Sequence, residues 1–345
     1  MKENMDKPVH PKIVLWRPMY DQLGHRMFEQ AGATIAVVDT SDAEALKAEL
    51  AGAQALWVRT PERVTAEIMD AAPSLITIST SGFGTDNIDL PAATERGILV
   101  VNHLGFGRTP VAEHSLMLLL AVMKQLIWGD RGARDGSAWS TRSNLNFLEL
   151  EGRTIGLLGL GYIGSELARK LKLGFGCRVI AYDPHVNARM AAAADVELAE
   201  ELEEMLGQVD ALCICAELND ETRNIISDNA FNALPKGSFV VNAARGQIID
   251  LDALTRALDS GQIAGAGLDV VYPEPLPQDH PLLRHQKVIF TPHTAGITVE
   301  TSAKLTQSAI DQVMTVLGGG EPRFAVNAQA WEVSASRRPA IELSS

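Results

Sequence analysis

Residues 154–184 read TIGLLGLGYIGSELARKLKLGFGCRVIAYDP. An apolar run leads into Gly159, Gly161 and Gly164, spaced G-x-G-x-x-G, and these open a stretch of helical periodicity. A second apolar run follows and ends in Asp183. Each part has a physical reason. Gly159 permits the tight turn out of the first strand, Gly161 lets backbone approach a pyrophosphate, and Gly164 lets helix and strand pack closely. Tyr162 and Ile163 begin the helix, whose free N–H groups and positive dipole end favour phosphate. Asp183, roughly 24 residues beyond the first glycine, stands where a carboxylate accepts from both adenosine ribose hydroxyls and repels a 2′-phosphate. Arg178 lies at the opposite end of that strand, out of place for such a phosphate. The stretch therefore predicts a strand–helix–strand unit that binds a dinucleotide, NAD in preference to NADP.

The same alternation continues on both sides. KIVLW (12–16), TIAVV (34–38), ALWV (55–58), LITIS (75–79) and ILVVN (98–102) read as buried strands. A second series comprises 154–161, 178–183, ALCICA (211–216), SFVVNAA (238–244), GAGLDVV (265–271) and VIFTPH (288–293). Strands alternating with helices imply parallel sheets covered on both faces, so two series imply two doubly wound α/β domains. Helical stretches at about 110–128 and 297–318 mark the seam. The chain is expected to leave a first domain (1–107) for a nucleotide-binding domain (108–298) and to return for residues 299–330, with 331–345 as a tail.

The 345 residues carry a net charge of −13. Such a surface repels nucleic-acid phosphate and anionic lipid, so neither a nucleic acid nor a membrane is expected as partner. Three cysteines, Cys177, Cys213 and Cys215, form no zinc set. An odd number of buried thiols fits a reducing cytoplasm. The stretch MKENMDKPVHPKIVLW has no apolar signal core, and the longest greasy run, SLMLLLAVM (115–123), is too short to span a bilayer.

Ligands of open α/β sheets bind beyond the carboxyl ends of the strands, so residues just after the later strands matter. VVNAARG puts Arg245 there, GLDVVYPEPLP puts Asp269 and then Glu274, and VIFTPHTAG puts His293. Arginine offers a planar fork of donors suited to a carboxylate beside a carbonyl. A histidine next to a carboxylate is held ready to give a proton near neutral pH. With a hydride carrier, these parts suffice to reduce a 2-oxo acid.

Between about residues 55 and 325 stand, in order, SGFGTDNIDLPAATERGILVVN, VAEHSLMLLLA, LEGRTIGLLGLGYIG, NAARGQIIDLDAL, GAGLDVVYPEPLPQDHPLL and TPHTAG. In these blocks the chain resembles the D-isomer-specific 2-hydroxyacid dehydrogenases, the family of phosphoglycerate, hydroxypyruvate and D-lactate dehydrogenases. The resemblance implies a Rossmann NAD-binding domain inserted in a flavodoxin-like one. It implies that Arg245 binds substrate at the cofactor, that Glu274 pairs with His293, and that His293 is the acid/base. Asp269 would bond the nicotinamide carboxamide. Thr109, Ala243 and Ala295 would line the cofactor site, and Ser81, Gly82, Phe83 and Gly84 would present N–H groups to the substrate carboxylate. Residues 128–150, with Trp128 and Trp139, resemble the family's dimer-forming arm and imply a homodimer.

The chain also departs from the family. Arg108 stands where relatives more often carry a small hydroxyl residue near the cofactor; Thr109 is then expected to make that contact, or Arg108 to reach the substrate. Glu217 replaces a common proline beside the adenine pocket. Arg59, at a strand end, suits either a second anionic group on the substrate or plain surface. Glu113 and His114 read as buried structural polar groups, and His103, His280 and His285 lack metal-ligand spacing, so no metal is expected. Two alternatives share the scaffold. Formate dehydrogenase-type relatives carry glutamine where Glu274 stands, and NAD-sensing co-repressors retain all three polar residues. Glyoxylate, hydroxypyruvate, 3-phosphohydroxypyruvate and larger oxo acids all fit Arg245, Glu274 and His293.

Overall fold

The structure, a computed structural model, describes residues 10–144 and 146–334. The readings of residues 1–9 as free of a signal core and of 335–345 as tail lie outside them. The chain divides into two units, Met1–Gly107 with Ile297–Ser345, and Arg108–Gly296. The return thus falls at 296/297, two residues earlier than expected. Trp331–Ser334, assigned to the tail, belong to a short helix, Ala330–Ser334.

In the first unit, β1 (Lys12–Trp16), β2 (Thr34–Val38), β3 (Ala55–Val58), β4 (Thr77–Thr80) and β5 (Leu99–Val101) form a parallel sheet of order β2-β1-β3-β4-β5. Both faces are covered, which is why the strands are continuous apolar runs rather than alternating ones. Leu46, Leu50, Ile68 and Met69, from helices Ala43–Leu50 and Ala66–Asp70, close one face over Val14, Leu56 and Ile78. Ala309, Ile310 and Val313 of the Val299–Leu317 helix close the other over Ile13, Leu15 and Trp57. Asp42, Thr65, Asp89 and Thr298 start their helices by accepting from backbone N–H groups of the first turn. Leu75 and Ile76 are buried but precede β4, Leu75 packing into the core on one face of the sheet and Ile76 into that on the other.

The second unit holds β6 (Thr154–Leu158), β7 (Arg178–Tyr182), β8 (Glu197–Leu198), β9 (Ala211–Ile214), β10 (Ser238–Asn242), β11 (Ile263–Leu268) and β12 (Val288–Phe290). All are parallel, in the order β12-β11-β10-β9-β6-β7-β8. The order reverses between β6 and β9, the switch point where such sheets take ligands. β8, two residues at the edge, carries no apolar run and was not anticipated. The expected 110–128 helix is broken. It runs Arg108–Met123 with Leu118 and Leu119 fully buried; Gln125 then adopts φ 49°, and a separate helix, Leu126–Asp135, begins. A left-handed residue cannot continue a right-handed helix. Among the described residues no single helix is long and apolar enough to cross a bilayer, and no group of acidic, histidine and cysteine side chains could hold a metal ion. Burial pushes the Cys177 thiol up to about 11 and that of Cys215 to about 12, leaving both protonated and unreactive.

Candidate active site

Strand register explains why residues far apart in sequence gather at one edge. Tyr182, Leu158, Ile214, Asn242, Leu268 and Phe290 are successive partners across the second sheet. Each strand ends at or next to this row. Asp183, Gly159, Ala243, Asp269 and Thr291 therefore leave the sheet at one level, and Arg245 and His293 follow within three residues.

At the β6 end, Gly159 has φ 94°, and a Cβ there would lie 2.7 Å from the Ala216 nitrogen. A Cβ on Gly164 would lie 2.3 Å from the Gly159 carbonyl oxygen, while one on Gly161 would meet nothing within 4 Å. The first and third glycines are thus demanded by the protein's own packing. The second faces open space at the start of helix Tyr162–Phe175, which no side chain caps. This is a cradle for a phosphate, and a dinucleotide fits it. Asp183 accepts from Leu160 N–H at 2.8 Å and His185 N–H at 3.0 Å, which fixes its carboxylate beside the glycine turn with lone pairs to spare.

At the β10 end, Asn242 is fully buried; its amide donates to the Arg245 carbonyl at 2.9 Å and its oxygen accepts from Ala244 N–H at 3.0 Å. The turn so locked presents half-buried Arg245, whose Nη1 donates to the Ala244 carbonyl at 2.8 Å. Gly246 is needed, because a Cβ would lie 2.1 Å from the Val271 carbonyl carbon.

Asp269, 2 % exposed, organises the histidine loop. Its backbone oxygen accepts from His293 N–H at 2.8 Å, Oδ1 from Thr291 Oγ1 at 2.6 Å and Thr294 N–H at 2.9 Å, and Oδ2 from Ala295 N–H at 2.9 Å. His114 adds Nε2 to Thr291 Oγ1 at 2.8 Å. These bonds hold His293 at φ 54°, a left-handed conformation that costs a bulky residue about 1–2 kcal/mol. Its Nδ1 lies 2.8 Å from Glu274 Oε2, and Glu274 Oε1 accepts from Val271 N–H at 3.3 Å. A carboxylate only accepts, so we assign the proton to Nδ1 and leave Nε2 as the working nitrogen.

One expectation about polar side chains needs correction. Glu113 is exposed and pairs with Lys170 at 3.0 Å, because it lies on the solvent side of its helix. Arg108 binds Glu166, Nη2 to Oε2 at 2.8 Å; Thr109 is exposed beside it, and Glu217 is also exposed. Glu166, buried at 4 % side-chain exposure, binds Arg169 at 2.7 Å and Lys170 at 3.3 Å as well. Arg169 first, then Arg108 and Lys170, hold its carboxyl down to about 2 against the opposing effect of burial. Because the folded value lies below the usual 4.5, this stabilisation is complete above pH 4.5 and is lost as pH falls towards 2. Screening of the half-exposed arginines limits it to about 1–2 kcal/mol. Thermal unfolding should therefore fall less steeply from pH 5 to pH 3 in Glu166→Gln than in wild type; equal slopes would deny the coupling.

The first unit carries its own cluster. Val58 pairs with Thr80, so Arg59 and Ser81 leave adjacent strands together. The Arg59 guanidinium lies 5.3 Å from the Tyr20 ring centre, a cation–π distance. Gly82 O accepts from Thr80 Oγ1 at 2.6 Å and His103 N–H at 2.9 Å, and Phe83 O accepts from Asn102 Nδ2 at 2.9 Å. The N–H groups of Ser81, Gly82, Phe83 and Gly84 donate to no described residue. Tethered carbonyls and free N–H groups make an anion-binding turn.

Residues 116–295 match the family model described as D-isomer specific 2-hydroxyacid dehydrogenase, NAD binding domain. The chain is 37% identical over 277 residues to a glyoxylate reductase of Thermofilum pendens, covering 79% of this chain and 80% of that protein. It is 35% identical over 317 residues to the D-3-phosphoglycerate dehydrogenase of Homo sapiens, covering 92% of this chain but spanning only 58% of that protein. Among solved structures, an NADPH-dependent glyoxylate/hydroxypyruvate reductase from Sinorhizobium meliloti, in complex with NADP and malonate, superposes with TM-score 0.83 at 27% identity, covering 93% of this chain and 98% of that one. An NAD-dependent formate dehydrogenase from Staphylococcus aureus, in complex with NAD, gives TM-score 0.80 at 28% identity, with 89% and 96% covered.

Proposed function

This chain belongs to the D-isomer specific 2-hydroxyacid dehydrogenases, and from that premise we propose that it interconverts a small 2-oxo acid and its D-2-hydroxy acid, with His293 as acid and base. The observation that carries the proposal is the 2.8 Å His293–Glu274 contact at the sheet edge that also bears the glycine turn and Arg245. Held by the glycine turn and Asp183, NADH would supply the hydride to C2 in reduction and NAD would accept it in oxidation. Arg245 holds the carbonyl and carboxylate oxygens of the substrate, and the N–H groups of 81–84 take the carboxylate. During reduction His293 Nε2 gives its proton to the forming alkoxide; during oxidation it takes the proton back. Glu274 accepts from Nδ1 throughout, which fixes the ring and its tautomer. Asp269 holds the loop that carries His293, besides any bond to the carboxamide.

Asp183 supports NAD over NADP, since a carboxylate repels a 2′-phosphate. Arg59, resting on Tyr20, is suited to a second anionic group on the substrate. Trp139 and Phe147 are exposed at 63 % and 45 %, which supports a homodimer built on the 128–150 arm; a monomeric mass by light scattering would overturn that. The function itself is tested by oxidation of NADH, with NADPH alongside, against glyoxylate, hydroxypyruvate and 3-phosphohydroxypyruvate. Turnover of at least one with NADH is expected; none at micromolar enzyme overturns the proposal.

Glu274 also separates this reading from the formate dehydrogenase kind, in which no proton is donated. In Glu274→Gln the ring loses the charged acceptor that fixes Nδ1–H, so kcat for reduction should fall about tenfold, the effect of one charge-assisted bond of roughly 1.4 kcal/mol. Wild-type kcat would mean that the carboxylate does not position the histidine.

A further inference from the structure

We propose that His103 is a positioning residue for the 81–84 loop: its buried imidazole ties down the Thr80 carbonyl and so aims the Ser81 N–H. The inference rests on the reading that this loop takes the substrate carboxylate.

His103 is 1 % exposed, directly beyond β5. Its Nε2 lies 3.0 Å from the Thr80 oxygen and 3.2 Å from Ser79 Oγ, both at the end of β4. Its Nδ1 lies 2.9 Å from Ser308 Oγ and 3.3 Å from Gln312 Nε2, both on the Val299–Leu317 helix. A carbonyl accepts only, so Nε2 carries the hydrogen and Nδ1 accepts from the hydroxyl and the amide. Burial, opposed in part by the bond to Thr80, lowers the ring to about 4, so this neutral tautomer persists across the working pH range. The anchor is itself pinned, since Gln312 donates to the Asn102 oxygen at 2.9 Å and accepts from Phe324 N–H at 2.8 Å.

The consequence follows from the planar trans peptide, whose C=O and following N–H point in opposite directions. Holding the oxygens of Thr80, Gly82 and Phe83 inward turns the N–H groups of Ser81, Phe83 and Gly84 outward. Thr80 Oγ1, His103 N–H and Asn102 hold the latter two oxygens. The Thr80 oxygen is held by the His103 ring and Ser79 Oγ. A buried imidazole with both nitrogens engaged is a costly way merely to fill space that leucine or phenylalanine would fill without desolvation.

His103→Gln places an amide where Nε2 stands, whereas in His103→Asn the shorter amide stops at the level of Nδ1. In the full-length protein, His103→Asn should raise KM for the 2-oxo acid about tenfold, the effect of roughly one lost hydrogen bond. Its kcat should stay within about threefold, and NADH affinity by fluorescence should not change. His103→Gln should restore most of the KM. Ser308→Ala, remote from the loop, should raise KM a few-fold and keeps the test open if His103→Asn does not fold. Wild-type KM in His103→Asn and Ser308→Ala, or a loss of kcat alone, overturns the proposal. Phe83→Pro removes one of the N–H groups that the tethered Gly82 oxygen turns outward. If folded Phe83→Pro keeps wild-type KM, the carboxylate reading of the loop has failed, and the His103 inference falls with it.

Discussion

His293→Ala should lower kcat for reduction by about 10²–10⁴-fold, the usual contribution of a positioned acid or base, with the Kd for NADH little changed. Nε2 is the nitrogen left for chemistry once Nδ1 is committed to Glu274 at 2.8 Å. Alanine at this position keeps the φ of 54° without gaining any contact, so a stability loss could accompany the catalytic one. His293→Asn separates the two, because asparagine tolerates the left-handed region and its amide N–H is far too weak an acid to replace the imidazole as proton donor. Both variants should be comparably slow while the asparagine variant melts near wild type. Pre-steady-state traces should show the loss in the hydride-transfer phase. Wild-type turnover in either variant would remove the histidine from the mechanism.

Much of this was legible because the sheets are parallel and buried, so that most strands are short apolar runs that end at one edge of the sheet. That logic delivered Gly159, Asp183, Arg245, Asp269 and His293. It failed where local chemistry, not hydrophobicity, decides. β8 is too short to carry a pattern, and the helix break at Gln125 involves neither glycine nor proline. Arg108 was read against a family pattern, yet Glu166 with Arg169 and Lys170 at helical spacing already marked a carboxylate that gathers cations. Asp269 is expected from the resemblance at the nicotinamide carboxamide; that its carboxylate carries the 294 and 295 N–H groups depends on a turn no spacing reveals. His103 was weighed only as a metal ligand. A histidine directly after ILVVN, at the mouth of a buried strand, also required partners for two nitrogens, and asking for them would have pointed to Ser79, Thr80 and the returning helix.

Arg245→Lys should lower kcat/KM by about 10–150-fold, since losing one of two charge-assisted bonds costs roughly 1.5–3 kcal/mol. The charge is kept, so any field effect on the substrate survives; what is lost is the planar fork that grips a carboxylate and a neighbouring carbonyl together. The setting favours this over a purely structural arginine. The Asn242 side-chain amide and the absence of a Cβ at Gly246 shape the turn, while the guanidinium adds one bond to the Ala244 carbonyl, so melting temperature is measured beside KM. A structural role would lower the melting temperature and leave KM near wild type. A gripping role raises KM and weakens oxamate, a rigid mimic of a 2-oxo acid, by the same factor while the protein melts normally. Arg245→Ala with added guanidinium offers the sharper form: partial recovery of turnover is expected at millimolar guanidinium and none at equal sodium chloride. Wild-type kcat/KM in Arg245→Lys would assign substrate recognition to the first unit's loop and leave His293 without the fork that presents its carbonyl.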